Sequence, residues 1–394
     1  MPALRQQTGL NKVLALFGGL AASVMIAEAA LYSIENTPLW RVLPVVEREL
    51  GLPDATLGYR FQADHAIINV RENRARVTSN AQGMRDRQRT VKKPPGVQRV
   101  AFMGDSFTEA LQVPGEATFV SRTEQMLNTA SAHSKYETLN FGMSGFGPLQ
   151  QLLRYQTDAQ DFAPDATVFM IGMNDFINNE LSDDASGPAY VNANNGELKI
   201  GRAYRQLSTH RLQDTLPGKL FFWAMDHSRI ARAVFLQYRV GKHSARPYRT
   251  GNALGCEGFA RKLASHEQLW LYQKPQPKAQ RLARFLDDIK NAAIKTPLFA
   301  LYDLPMPAST CTDAVNTRSV LVKAIRNRLA NNDIRLLDMD DALFQLHPAT
   351  YRVNGFRGFG SRTGAGHLNF SGHEVFAEVL SRKLLSVNPE GKKP

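Results

Sequence analysis

Five short apolar runs recur along the chain: Val100–Met103, Thr138–Phe141, Val168–Ile171, Leu298–Tyr302 and Ile334–Leu337. Each has the length of a strand buried on both faces. Between them the apolar positions change to helical spacing. Phe119, Val120, Thr123 and Leu127 form one stripe, and Leu149, Leu152 and Leu153 form another. Leu282, Phe285, Leu286 and Ile289 precede the fourth run, and Leu321, Ile325 and Leu329 precede the fifth. A last helix, announced by a capping box of Ser371 and Glu374, carries Phe376, Val379, Leu380 and Leu384. Strands alternating with helices predict an α/β domain, a parallel sheet covered on both faces, over residues 98–388.

Three stretches fall outside this rhythm. Residues 1–35 begin polar, with Arg5 and Lys12, then run from Val13 to Ala27 without a charge; Glu28 interrupts and Ala29–Ile34 continue apolar. This reads as a membrane anchor in preference to a cleaved signal, whose h-region would be Val13–Ala27. The preceding cations place the N-terminus in the cytoplasm and the body on the periplasmic side. Residues 36–97 read as an extended, basic, turn-rich lead-in ending at the Lys92-Lys93-Pro94-Pro95-Gly96 breaker. About residues 176–296, between the third and fourth strands, lies an insertion far longer than an ordinary connection. It is expected to cap the site, with Phe221, Phe222 and Trp223 packed against the main domain.

Charge narrows the partners. The 394 residues carry a formal net charge of +12. Arg71–Arg99 holds nine Lys/Arg against Glu72 and Asp86, and Arg202–Arg249 holds ten against Asp214 and Asp226. Two such segments predict a basic face toward anionic partners, such as acidic polysaccharide or phospholipid headgroups. No helix-turn-helix, zinc-finger or aromatic RNA-binding signature points to nucleic acid. Cys256 and Cys311, the two cysteines, lie in no C-x-x-C pattern, and no H-E-x-x-H occurs, so neither a metal nor another cofactor is expected. In an oxidising compartment the two cysteines could pair; as free thiols they would be buried.

The candidate chemistry sits where the strands end. The first run stops abruptly at Gly104, Asp105 and Ser106. In open α/β sheets ligands bind beyond the carboxyl ends of the strands, which makes Ser106 a candidate nucleophile; the alternative is a serine that only caps the next helix. Gly145, Asn174 and His367 follow other core elements toward the same crevice. Acyl transfer needs a nucleophilic hydroxyl, a base and donors aimed at the developing oxyanion. His367 can be the base. The backbone N–H groups of Ser106 and Gly145 and the amide of Asn174 can form the oxyanion hole.

Four blocks carry a resemblance: G-D-S-F-T at Gly104–Thr108, N-F-G-M-S-G at Asn140–Gly145, G-M-N-D at Gly172–Asp175 and H-L-N-F-S-G-H at His367–His373. In content and order they resemble the SGNH (GDSL-type) hydrolases. Gly83–Asp86, with the apolar span before it, resembles a membrane-anchored bacterial subgroup. The resemblance implies a three-layer α/β/α, flavodoxin-like fold, in which the five runs read above make the five-stranded parallel sheet and the basic, helix-prone stretch is a helical insertion between strands 3 and 4. It also implies metal-free cleavage or transfer of acyl esters, with the roles just given to Ser106, His367, Gly145 and Asn174. The expected substrate is an O-acetyl ester on envelope carbohydrate. An acetyltransferase, a lysophospholipase-type esterase and a non-catalytic glycan-binding module are the alternatives. One departure stands out: the family's aspartate two or three residues before the histidine is replaced by Ala365 and Gly364. Asp303, Asp338, Asp340 and Asp341 are possible displaced acids. A main-chain carbonyl at Gly364–Gly366 is the expected substitute, giving a Ser106–His367 dyad. His373 and Glu374 read as the start of the last helix.

Overall fold

The computed structural model describes residues 2–41, 51–69, 72–131, 134–172, 187–192, 197–206, 208–235, 277–302, 323, 325–346, 355–356 and 366–387. Two compact units emerge, Met1–Glu49 with Leu212–Pro247 and Leu50–Arg211 with Tyr248–Pro394. In the first, α1 (Pro2–Asn36) is an uninterrupted helix.

The larger unit opens with two antiparallel hairpins. One pairs β1 (Gly51–Asp54) with β2 (Gly58–Phe61), and the other pairs β3 (Ala66–Asn69) with β4 (Ala75–Thr78). The five apolar runs then become β5 (Val97–Met103), β6 (Lys135–Asn140), β7 (Ala166–Gly172), β10 (Pro297–Tyr302) and β11 (Arg335–Asp338). They form one parallel sheet in the order β6-β5-β7-β10-β11. Numbered along the sheet-forming strands this is 2-1-3-4-5, the flavodoxin-like winding, whose switch point lies between β5 and β7. The short β8 (Ala189–Asn192) and β9 (Leu198–Gly201) form a hairpin within the insertion.

Side chains alternate across the sheet as strand geometry requires. Val100 and Phe102 face one apolar layer with Val168, Met170, Leu298, Ala300 and residues of helices α3 (Phe119–Ala130) and Phe370–Val387. Ala101 and Met103 face the other with Phe169, Ile171, Phe299 and residues of α4 (Pro148–Thr157) and helix Pro277–Asn291. The result is the three-layer α/β/α architecture. The last helix starts slightly earlier than the Ser371 capping box implies. Asn369 Oδ1 accepts the Gly372 N–H at 2.9 Å, so Asn369 supplies the cap and Ser371 falls in the first turn.

The lead-in is not an extended tether. Leu57, Phe61, Ile67, Val77 and Met84 are buried in the same layer as Leu139 and Phe169. Three of the nine cations of Arg71–Arg99 do not contribute to the expected basic face, because Arg85, Arg89 and Arg99 are buried. Arg99 binds Glu137 at 2.9 Å and donates to the carbonyls of Thr90, Val91 and Phe162. Arg89 binds Asp86 at 3.1 Å and Glu124 at 2.8 Å and reaches the Thr138 carbonyl. Asp86 also accepts from the Asn140 N–H at the end of β6. The Gly83–Asp86 element is thus a clasp between the lead-in and the sheet. Burying a charge is costly without partners; Arg89 and Arg99 have carboxylates beside them, and Arg85 donates to the Ala110 and Val113 carbonyls.

The insertion divides between the two units. Tyr190 donates to Asp288 at 2.6 Å and buried Tyr204 to the Ala55 carbonyl at 2.7 Å, which fixes its first part in the larger unit. Helix Leu216–His227, which carries Phe221, Phe222 and Trp223, belongs instead to the unit of α1. Cys256 and Cys311 lie outside the described residues.

Candidate active site

The strand-to-helix turn after β5 is built around Gly104. A Cβ there would lie 2.0 Å from Thr108 Oγ1, so the close approach of helix α2 (Ser106–Glu109) to the strand requires glycine. Asp105 clamps the turn, accepting the Phe107 N–H at 2.9 Å and the Tyr302 hydroxyl at 2.8 Å. Its carboxyl is held above the ordinary range by burial, against those hydrogen bonds. Asp105 therefore caps the helix and Ser106 opens it, with a half-buried side chain.

Ser106 and His367 meet as the blocks suggested. His367 Nε2 lies 2.8 Å from Ser106 Oγ. The other ring nitrogen meets a residue that the block pattern did not single out, since Nδ1 lies 2.7 Å from Oε1 of Glu72. The second carboxylate oxygen, Oε2, accepts the backbone N–H of His367 at 2.9 Å. A carboxylate from the β3–β4 turn thus stands where a main-chain carbonyl was expected. Glu72 adopts φ of 62°, a left-handed backbone conformation uncommon for a non-glycine residue. Nearby side chains brace the turn: Asn69 donates to the Asn73 carbonyl, and Asn73 to the Gln112 carbonyl at 2.8 Å. On the histidine side Gly366 has φ of 93°, and a Cβ there would meet Glu72 Oε2 at 2.5 Å. The carboxylate occupies the space that any other residue at 366 would fill.

Among the aspartates weighed as acids, Asp338 accepts the Asp341 N–H and caps helix Met339–Leu346. Asp303, Gly364 and Ala365 lie outside the described residues, as does Asn174.

Gly145 is described, with φ of 79° and its Cβ position 2.8 Å from the Tyr59 hydroxyl. Its loop is held from several sides. Tyr59 donates to the Ser144 carbonyl, Ser144 Oγ to Glu109, and Met143 N–H to the Gly104 carbonyl at 3.0 Å. The loop after β6 is therefore fastened to the Ser106 turn and to the lead-in hairpin.

A model of the GDSL-like lipase/acylhydrolase family matches residues 102–375. The chain belongs to this family. It is therefore an ester-cleaving hydrolase by family. No curated protein matches it in sequence. Solved structures similar to this GDSL-type chain include LAE5, an alpha/beta hydrolase from the metagenome of Lake Arreo, Spain. That likeness has 14% identity over 76% of this chain and 100% of the other, with a TM-score of 0.36. A catalytic mutant of Axe2, an acetylxylan esterase from Geobacillus stearothermophilus, is 12% identical over 75% of this chain and 96% of its own, with a TM-score of 0.37.

Within the GDSL-type site, charge follows the hydrogen bonds. Burial alone would lower the pKa of His367, but the hydrogen bond and negative charge of Glu72, with Asp105 and Glu109 adding to them, raise it above its ordinary value. Burial would raise Glu72, and the bonds and charge of His367 outweigh it, so the carboxyl stays below its usual range. Burial pushes Glu109 up to about 7 despite Ser144 and Arg85. His373 goes the other way, down to about 3, through burial and the cations Arg85 and Arg122. It accepts the Phe119 N–H at 3.1 Å and stacks on that ring, a packing role that agrees with its place in the last helix. In sequence Glu72 stands out only as one of two acids among nine cations, which suggests a partner for an arginine and not for His367. Pairing it with His367 requires the hairpin fold, which no local pattern reports.

Proposed function

We propose that the chain is a serine esterase in which Ser106 is the nucleophile, His367 the general base and Glu72 the acid that orients the base. The observation that carries this reading is the unbroken series of contacts from Glu72 through His367 to Ser106 Oγ. With Nδ1–H held by the carboxylate, Nε2 is left as the acceptor facing the hydroxyl. Ser106 Oγ attacks the ester carbonyl while its proton passes to Nε2, and Glu72 stabilises the imidazolium that forms. The N–H groups of Ser106 and Gly145 and the amide of Asn174 are the donors for the oxyanion. Collapse expels the alcohol, which takes the proton from Nε2. Water then attacks the acyl-enzyme with His367 again as base and releases the acid.

For the substrate we propose O-acetyl esters on envelope carbohydrate, with the catalytic body on the periplasmic side of a membrane anchored by α1. The apolar stretch Asn11–Ile34 supports the anchor, being long enough to span a bilayer, with no residue of its most apolar window buried. The lysines and arginines of the insertion favour anionic glycans. The test is acetate release from acetylated acidic and neutral polysaccharides, compared with long-chain acyl esters, by wild type and Ser106→Ala. Acetate release that requires Ser106, and is fastest on the acidic glycan at low salt, supports the reading. Preference for long acyl chains would replace it with a lipid esterase.

A further inference from the structure

The unit containing α1 holds a contact that the esterase reading does not use. Glu28, the acid within the apolar span, is bound at the junction of two insertion helices. Its carboxylate accepts the Ser228 hydroxyl at 2.6 Å and the N–H groups of Arg229 and Ile230 at 2.9 and 3.1 Å. One turn further along α1, the Arg229 guanidinium lies 4.8 Å from the centroid of the Tyr32 ring. Glu28 and Tyr32 are four residues apart and so share a helix face. The helices on either side of Ser228, Leu216–His227 and residues 229–235, fold on each other through the Phe221 and Phe235 rings, 5.4 Å apart.

This pair leaves a large apolar surface uncovered. Leu216, Leu220 and Trp223 recur at i, i+4 and i+7 on one face and are 72%, 57% and 60% exposed; Val234 on the second helix is 65% exposed. Monomeric soluble proteins rarely display such a group of large apolar side chains together. Residues 212–247 also carry six Lys/Arg against two acids, and Lys219 lies between Leu216 and Leu220. The docking point gives the depth. Glu28 is six residues from Ile34, the end of the apolar span, which is about 9 Å along the helix axis. Amphipathic helices bury their apolar face roughly 5–10 Å into the boundary between headgroups and acyl chains, and tryptophan is enriched at that level.

We infer that the helical pair 216–235 is a second membrane element, lying in the bilayer interface against α1 and held there by Glu28 and Tyr32. Its occupant is phospholipid: acyl chains on Leu216, Leu220, Trp223 and Val234, an anionic headgroup on the exposed Lys219 among them. The inference rests on the proposed membrane anchor.

Full-length protein carrying Trp40→Phe and Trp270→Phe, with Trp223 the remaining tryptophan, tests it in phosphatidylcholine–phosphatidylglycerol vesicles. Bromine is placed near the headgroup or near the chain end of the lipid. A reference protein with Leu20→Trp and Trp223→Phe in the same background reports on α1. Trp223 emission should be quenched more by shallow than by deep bromine, and the Leu20→Trp protein more by deep bromine. An unquenched Trp223 beside a quenched Leu20→Trp protein overturns the inference and leaves the anchor standing. If neither is quenched, the anchor reading fails and takes the inference with it. Glu28→Ala should reduce Trp223 quenching without changing that of the Leu20→Trp protein. Unchanged Trp223 quenching in Glu28→Ala overturns the docking role given to Glu28.

Discussion

Replacing Glu72 by Gln changes no heavy-atom shape yet should nearly silence the enzyme. The two carboxylate oxygens face two different partners, the His367 backbone N–H at 2.9 Å and the ring Nδ1 at 2.7 Å. A glutamine has one oxygen to offer. The backbone N–H is a donor in every state, so the amide oxygen must serve it, and the amide NH2 then faces Nδ1. The imidazole answers by moving its proton to Nε2, where it points at Ser106 and can accept nothing. Loss of the orienting acid in this way costs about ten-thousandfold in kcat, or about 5.4 kcal/mol of transition-state stabilisation. A second signature accompanies the loss. Because the charge of Glu72 holds the His367 pKa above its ordinary value, and the base works only when neutral, removing that charge moves the acid limb of the kcat/KM profile to lower pH. Glu72→Asp keeps the charge but is shorter by one methylene, about 1.5 Å, so it should fall between the two. The assay is hydrolysis of a chromogenic acetyl ester across pH, with Ser106→Ala as the floor. A folded Glu72→Gln enzyme that keeps kcat within threefold of wild type, with its acid limb unmoved, would refute the orienting role.

Gly366→Ala must place a Cβ against Glu72 Oε2 at a backbone φ of 93°. It should destabilise by more than about 1 kcal/mol in denaturant unfolding and lower kcat more than KM. Asn174→Ala should lower kcat about a hundredfold or more with the fold intact by circular dichroism, as expected for loss of one oxyanion donor; an unchanged kcat removes that residue from the site. Glu109→Gln concerns stability against pH. Its carboxyl titrates near 7 when folded and near 4.5 when unfolded, so the native state binds the extra proton between those values and wild-type stability falls as pH rises through them. The variant should escape that fall, gaining on the order of 1–3 kcal/mol relative to wild type at pH 8 compared with pH 5. An identical pH dependence of unfolding in the two proteins would contradict the buried carboxyl.

Residues that act through local pattern were readable from the chain. The five sheet strands, the Gly104-Asp105-Ser106 turn and the Phe370–Val387 helix all follow from apolar runs and periodicity, because a parallel strand buried on both faces has no other composition available to it. His367 was readable through its block, and it does meet Ser106. Glu72 was not, since its partner lies 295 positions away and its role arises only when the β3–β4 hairpin packs beside the sheet. The same limit misled the reading of charge. Arg85, Arg89 and Arg99 look like a basic surface in sequence, yet each is buried against carboxylates or carbonyls contributed by distant segments. Glu28 reads in sequence as an interruption of the apolar span, and its partners sit 200 residues later in the insertion. Long-range pairing of single polar residues leaves almost no local trace.

The central claim, that Glu72 and His367 activate Ser106 for attack on an ester, is tested most directly by a fluorophosphonate probe followed by peptide mass mapping. The account predicts a phosphonate adduct on Ser106, absent in Ser106→Ala and formed far more slowly in Glu72→Gln. A folded wild-type protein that takes no label, or takes it on a residue other than Ser106, would contradict it.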